Sequence, residues 1–252
     1  MRGTLTFIAL LLLGMPAHSD GLHVACATNF RATLDVLGQQ FTEHTGQQLI
    51  ISSASSGVLY QQIVYGAPFE VLLSADADIP QRLTQRALAE TDSLFTYAEG
   101  RLVLAYREDL DQLAAAGPVA LLGNAALSLA IANPKHAPYG RAAEQVLHKH
   151  PRAADATLLR GANVGQAFQM WYSGGADLAL VAASYRPAQY LEVPASWYEP
   201  LQQQAVVLST RRNPALARRF MAFLQSDDSR QLIQSHGYRL PRLATTGADQ
   251  ND

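Results

Sequence analysis

Hydrophobic and polar positions follow two periods along this chain, and the two alternate. Residues 22–27 (LHVACA) are a short apolar run, followed by Phe30, Leu34, Leu37 and Phe41. The run predicts a strand. The spaced residues predict a helix with one buried stripe, which Gly46 is placed to end. The pattern returns over residues 49–76. Leu49, Ile50 and Ile51 lead into Ala54, Ser55, Ser56 and Gly57; Leu59 and Ile63 then lie one turn apart, before a second apolar run at residues 69–73. That reads as strand, tight turn, helix, strand.

The same alternation continues to the C-terminus. A short helix is expected over residues 80–86. Strands are expected over residues 101–106 (RLVLAY), 127–132 (LSLAIA), from Leu158-Leu159, and over 176–183 (ADLALVAA) and 204–209 (QAVVLS). A helix with Ala142, Ala143, Val146 and Leu147 follows the loop NPKHAPYG; another carries Val164, Ala167, Phe168 and Trp171. Asn213 followed by Pro214 is a strong start signal for a helix buried through Leu216, Phe220, Phe223 and Leu224. Ser226 opens a last helix, which Gly237 stops, and the tail after Pro241 is polar.

Strands alternating with helices predict an α/β protein with mostly parallel sheets and helices on both faces. In such sheets ligands bind beyond the C-terminal strand ends, where helix N-termini point. Turns at Thr28, Ser56, Tyr139 and Val164 each follow a strand and open a helix. The first N–H groups there have no intrahelical partner and sit at the positive end of the helix dipole, so they suit an anion. A bland reading competes: Thr28 and Asn29 are good N-cap residues, and Ser55 or Ser56 can simply cap its helix. The recurrence at four turns favours a shared anion site.

Composition narrows the class. Charged residues are 16 % and apolar residues 48 % of 252 positions, with a formal net charge of −2, which describes a globular chain. There is no basic stripe of the kind nucleic acid requires. At the N-terminus Arg2 precedes an apolar block over residues 5–13, then Pro16 and the small residues Ala17 and Ser19. This predicts a secretory signal peptide, residues 1–19, cut before Asp20; the block is too short to span a bilayer. Cys26 is the single cysteine, so no internal disulfide is possible, and it is expected to be a small buried hydrophobe.

The segments ACATNF, SSASSGVLYQQIVYGAP, LLSAD, NPKHAPYG and RRFMAFLQSDDSRQLIQSHGY together resemble the periplasmic molybdate-binding proteins of ABC transporters, over residues 22–238. The resemblance implies a type II periplasmic-binding-protein fold: two α/β lobes joined by two crossover strands that act as a hinge. Lobe 1 would comprise residues 20–104 plus 204–252, and lobe 2 residues 105–203. It also implies a monomer that holds molybdate or tungstate between the lobes and delivers it to a membrane permease. By position, Thr28 and Ser56 match the hydroxyl-plus-amide pair of the first lobe, and Asn29 a neighbouring amide. Tyr139 and Val164 match backbone donors of the second. No cofactor is implied, and molybdenum enters only as the oxyanion, with no protein ligand on the metal. Three departures stand out: Ala182 aligns with a tyrosine whose hydroxyl reaches the ligand in many members, with Tyr139 expected to compensate, while Glu70 and Asn133 each replace an aspartate.

The chemistry is consistent with that expectation. A dianion is costly to bury unless every oxygen is hydrogen-bonded, and a hydrogen bond to a charged group is worth about 1.5–3 kcal/mol. Roughly five to seven neutral donors can therefore hold one without a countercharge. The turns contain no lysine or arginine at the proposed contacts; Arg31, Lys135, His136 and Arg141 lie nearby and are expected to be solvated. A donor-only site disfavours phosphate, whose remaining proton needs an acceptor. Receptors for sulfate, thiosulfate or phosphate are the alternative. An enzyme is the other rival class: Ser56 is not in a GxSxG elbow, His148 and His150 would point to different helix faces, and Asp76 is expected to cap a helix.

Overall fold

The computed structural model describes residues 21–209 and 212–241. The expected signal peptide and its cut lie outside them. The strands are β1 (Leu22–Ala27), β2 (Leu49–Ala54), β3 (Val71–Leu73), β4 (Phe95–Gly100), β5 (Leu102–Tyr106), β6 (Leu129–Ala132), β7 (Leu158–Gly161), β8 (Leu178–Ala182), β9 (Tyr190–Glu192) and β10 (Leu201–Val207). The helices are α1 (Arg31–Thr45), α2 (Ser56–Val64), α3 (Asp78–Gln85), α4 (Asp111–Ala114), α5 (Pro118–Gly123), α6 (Pro138–Lys149), α7 (Val164–Tyr172), α8 (Pro214–Leu224) and α9 (Asp227–Ser235).

Two sheets form, in the orders β2-β1-β3-β10-β4 and β7-β6-β8-β5-β9. Strands β1, β2 and β3 run parallel, as do β6, β7 and β8. Both sheets are mixed, however, where mostly parallel sheets were expected: β10 is antiparallel to β3 and β4, and β5 to β8 and β9. The reason is connectivity. The chain passes from β4 in the first sheet to β5 in the second through Arg101 alone, and returns between β9 and β10, so the strands flanking each crossing run against their neighbours. Arg101 also pairs with Glu192, which ties the outgoing crossing to the returning one.

The alternation along β1 sorts its side chains to two cores. Leu22, Val24 and Cys26 meet Phe30, just before α1, and Leu34, Phe41 and Phe220 from α1 and α8, while Ala25 meets Leu59, Leu72 and Leu83 on the other face. Phe41 sets its edge on Phe220 with ring centroids 5.3 Å apart. Burying each such side chain contributes about 1.5–3 kcal/mol. Cys26 is buried and free, and burial pushes its thiol pKa up, so it is inert packing. In the second sheet Leu129, Ala130, Ile131 and Ala132 are all buried, the mark of a strand covered on both faces. This geometry brings the C-terminal ends of β1, β2 and β3 opposite those of β6, β7 and β8.

Candidate functional site

Thr28, Asn29, Ser56, Tyr139 and Val164, from loops after β1, β2, β6 and β7, line one small cavity of about 10 Å3. Ser55 and Ala75 line it too, and no charged side chain does so among the described residues. Larger open grooves exist, such as one between α1 and β2 that includes Arg31, Asp35 and Glu43. That groove is a charged outer surface, remote from the strand ends where the five residues meet.

On the first lobe, the Ser56 hydroxyl accepts from the Ala75 N–H at 3.0 Å. A hydroxyl has one proton and two lone pairs, so that of Ser56 remains available to an acceptor in the cavity. Ser55 occupies the N-cap position of α2, yet its Oγ is buried and has no partner in the structure. Neither serine caps the helix, which removes the bland reading of this turn. Thr28 and Asn29 do not cap a helix either: the chain enters a single 3-10 turn over Thr28–Phe30 before α1, and no side-chain cap forms.

Asn29 has another task. Its Nδ2 donates to Gln203 Oε1 at 2.9 Å and to the Tyr238 hydroxyl at 3.2 Å, and Tyr238 donates back to the Asn29 carbonyl at 2.7 Å. Both side-chain donors of Asn29 are therefore spent inside the protein, and its buried Oδ1 is left unpartnered. Gln203, fully buried where β10 shifts register against β4, donates in turn to the Tyr139 hydroxyl at 3.2 Å. The Tyr139 hydroxyl thus joins this network, packed against Gly100, and because it accepts there its own proton is still free to be given. Tyr139 also sits at the start of α6, where its N–H has no intrahelical acceptor. Burial pushes the hydroxyls of Tyr139 and Tyr238 well above the usual tyrosine range, so both stay neutral donors.

On the second lobe, α6 begins at Pro138 without a side-chain cap. Asn163 caps α7 through the Gln166 N–H, which leaves the N–H of Val164, two residues earlier, uncapped. The two lobes touch around the cavity. The Gly57 N–H, in the first turn of α2, donates to the His136 carbonyl of the opposite lobe at 2.9 Å. A Cβ at Gly57 would lie 2.8 Å from that oxygen, so only glycine permits the approach. Ser184 Oγ donates to the Asn29 carbonyl at 2.9 Å, and Arg141 pairs with Asp76 at 2.6 Å.

The nearby cations are accounted for. Arg31 pairs with Asp35 on the surface, Lys135 and His136 are exposed, and Arg141 faces Asp76. Asp76 does accept from the Ile79 N–H at 3.1 Å, as a residue holding a helix start should. Its ion pair across the lobes was not foreseeable. Glu70 accepts from the His23 N–H within the first lobe, and Asn133 accepts from the Lys135 N–H in its own loop, so neither departure reaches the cavity. His150 packs at a tilt against Trp197, away from the site. Among the described residues, no group of His, Cys, Asp and Glu is placed to hold a metal ion.

Three residues escaped the sequence reading: Ser55 as a lining residue in its own right, Gln203 as the hub, and Tyr185. The Tyr185 hydroxyl is buried and faces Thr28. No periodicity marks it, because it sits in an irregular turn after β8; a buried hydroxyl is a signal that only coordinates give.

The comparisons with known proteins agree with this geometry. Residues 22–239 match the family model described as bacterial extracellular solute-binding protein. The chain is similar to the molybdate-binding protein ModA of Azotobacter vinelandii, 38 % identical over 91 % of this chain and 94 % of that protein. It is also similar to ModA of Rhodobacter capsulatus, 35 % identical over 94 % of this chain and 96 % of that one. The solved structure of the Azotobacter vinelandii periplasmic molybdate-binding protein superposes with a TM-score of 0.78, covering 88 % of this chain and 100 % of that chain. By fold, by site geometry and by these matches, the chain belongs to the bacterial extracellular solute-binding protein family, in the group of the molybdate-binding ModA proteins.

Proposed function

We propose that the protein captures molybdate, and tungstate with it, in the cavity between the lobes, and delivers it to the permease of an ABC transporter. The observation that carries this reading is the convergence of uncapped helix starts from both sheets on one cavity with no charged lining side chain. Thr28 and Ser56 supply hydroxyls and Tyr139 and Val164 backbone N–H groups. Asn29 shapes the first loop, and Ser55 joins the set. In a low-dielectric cavity such fixed donors are worth more than in water, and a fully ionised tetrahedral anion can use them all. The ligand touches both lobes, so its complete set of hydrogen bonds forms only in the closed protein. We draw the lobe boundary where the chain crosses between the sheets, at Arg101 and between β9 and β10, in place of residues 104 and 203. Export through the N-terminal segment, a periplasmic location and a monomeric state belong to the same reading, which assigns no catalytic residue and no separate cofactor.

Calorimetric titration of the exported chain with molybdate, tungstate, sulfate, thiosulfate and phosphate tests it. Tight one-to-one binding of molybdate, with sulfate and phosphate far weaker, is the expected result. Sulfate binding as tight as molybdate overturns the assignment of ligand, and turnover without stoichiometric anion binding overturns the assignment of class.

A further inference from the structure

The turn that follows β8, residues 183–186, meets the first lobe at several points. Ser184 Oγ donates to the Asn29 carbonyl at 2.9 Å. Arg186, in the left-handed region at φ 49°, donates to the Ser235 carbonyl. An irregular turn that docks on the other lobe at both of these positions is held in place by closure. Tyr185 lies between them. Its ring stacks on Phe168 with centroids 4.8 Å apart and planes at 19°, which fixes where the hydroxyl goes. That hydroxyl is buried, and the Thr28 hydroxyl is the polar side-chain group that faces it.

What it faces is the first ligand loop. A Cβ built on Gly165 would lie 3.1 Å from the Tyr185 hydroxyl and 3.7 Å from Thr28 Cβ. Glycine at the second position of α7 therefore keeps open the space where a hydroxyl of the second lobe and a threonine of the first come together. Burial pushes the Tyr185 pKa above the ordinary tyrosine value, so the group is a proton donor throughout the physiological range.

We propose that Tyr185 is a positioning residue for the anion site: its hydroxyl donates to Thr28 Oγ1 across the lobe junction and thereby turns the Thr28 proton into the cavity. The inference rests on the anion-receptor reading above. The chemistry follows from the hydroxyl inventory. A threonine hydroxyl that accepts from Tyr185 has its own proton left to give, and an oxyanion in the cavity is the acceptor that completes the chain. Two hydroxyls in series polarise one another, so the outer donor is strengthened by the inner one. Tyr185 and Thr28 belong to different lobes, and the relay exists only in the closed protein. A lone Thr28 rotor lacks that coupling.

The test is molybdate titration of six proteins: wild type, Thr28→Val and Thr28→Ser, the last a background that keeps the hydroxyl, each with and without Tyr185→Phe. Tyr185→Phe retains the stacked ring and deletes only the buried oxygen, so the melting temperature of the ligand-free protein should be unchanged or raised. Molybdate affinity should fall about tenfold, the loss of one strengthened donor. In the Thr28→Val background the same change should have no further effect, and in Thr28→Ser the tenfold loss should return. Unchanged affinity in Tyr185→Phe overturns the proposal, and so does an equal loss with and without the Thr28 hydroxyl, which marks direct contact or packing. A wild-type chain that takes up no oxyanion at all overturns the functional reading and this one together.

Discussion

Helices α8 and α2 both start after a polar residue suited to capping, and they use it in opposite ways. At α8, on the outer surface, Asn213 Oδ1 accepts from the Leu216 N–H at 3.1 Å, and Pro214 fills the first position, where no N–H is needed. At α2, facing the other lobe, Ser55 leaves its hydroxyl unbonded and Gly57 gives its N–H to His136 across the cleft. Helix α9 follows the first pattern through Ser226, and α6 follows the second with no side-chain cap. Leaving a helix start unsatisfied in a buried place costs free energy. Helices α4 and α5 also start without a side-chain cap, but at α2 the buried, unpartnered Ser55 hydroxyl lines the cavity, which is what a site organised for an acceptor looks like.

The comparison breaks most sharply at Gly57. Gly57→Ala places a methyl 2.8 Å from the His136 carbonyl oxygen. Overpacking of about 1–3 kcal/mol against the closed form weakens molybdate binding by up to about 100-fold. Because Ala favours a helix more than Gly does, the ligand-free melting temperature should hold or rise; calorimetry beside differential scanning measures both. Ser55→Ala comes next: removing one donor to a charged ligand costs about tenfold or more in affinity. Its hydroxyl has no internal partner, so apo stability should not drop. Ser56→Ala is less clean, since it also strands the buried Ala75 N–H and should lower stability as well as affinity.

Asn213→Ala is the mirror image. It should destabilise the protein by about 1 kcal/mol, a melting shift of about 2–4 °C at this size, with molybdate affinity unchanged. The smallest effect belongs to Arg141→Gln. Arg141 is 43 % exposed where it meets Asp76, so the pair is worth at most about 1 kcal/mol. Affinity should drop less than about fivefold, and the difference should shrink in high salt.

The fold was largely legible from period and punctuation. Leu22–Ala27 reads as a strand, the stripe from Phe30 to Phe41 as a helix, and Asn213-Pro214 as a helix start, because each depends on neighbours in sequence. Strands β4 (FTYAEG) and β9 (YLE) were missed: they lack a clean apolar alternation and are defined by pairing with β10 and β5, which are distant in sequence. The mixed sheets escaped for the same reason, since direction at a crossover is a property of the returning chain. Within the site, the turns at Thr28, Ser56, Tyr139 and Val164 could be named from local residues. Tyr185, Gln203 and the fate of the Asn29 amide could not, as each acts through partners that only folding brings near.

The central claim is that uncapped helix starts in the cleft are reserved for an anion, and backbone amide shifts report it most directly. In the isotope-labelled chain titrated with molybdate, the amide resonances of Ser56, Tyr139 and Val164 should move markedly in slow exchange. Those of Gln166, Leu216 and Ser229, whose N–H groups are already capped, should stay close to their ligand-free positions. Shifts centred instead on Arg31, Lys135 or Arg141, or spread evenly over capped and uncapped helix starts, would contradict the account.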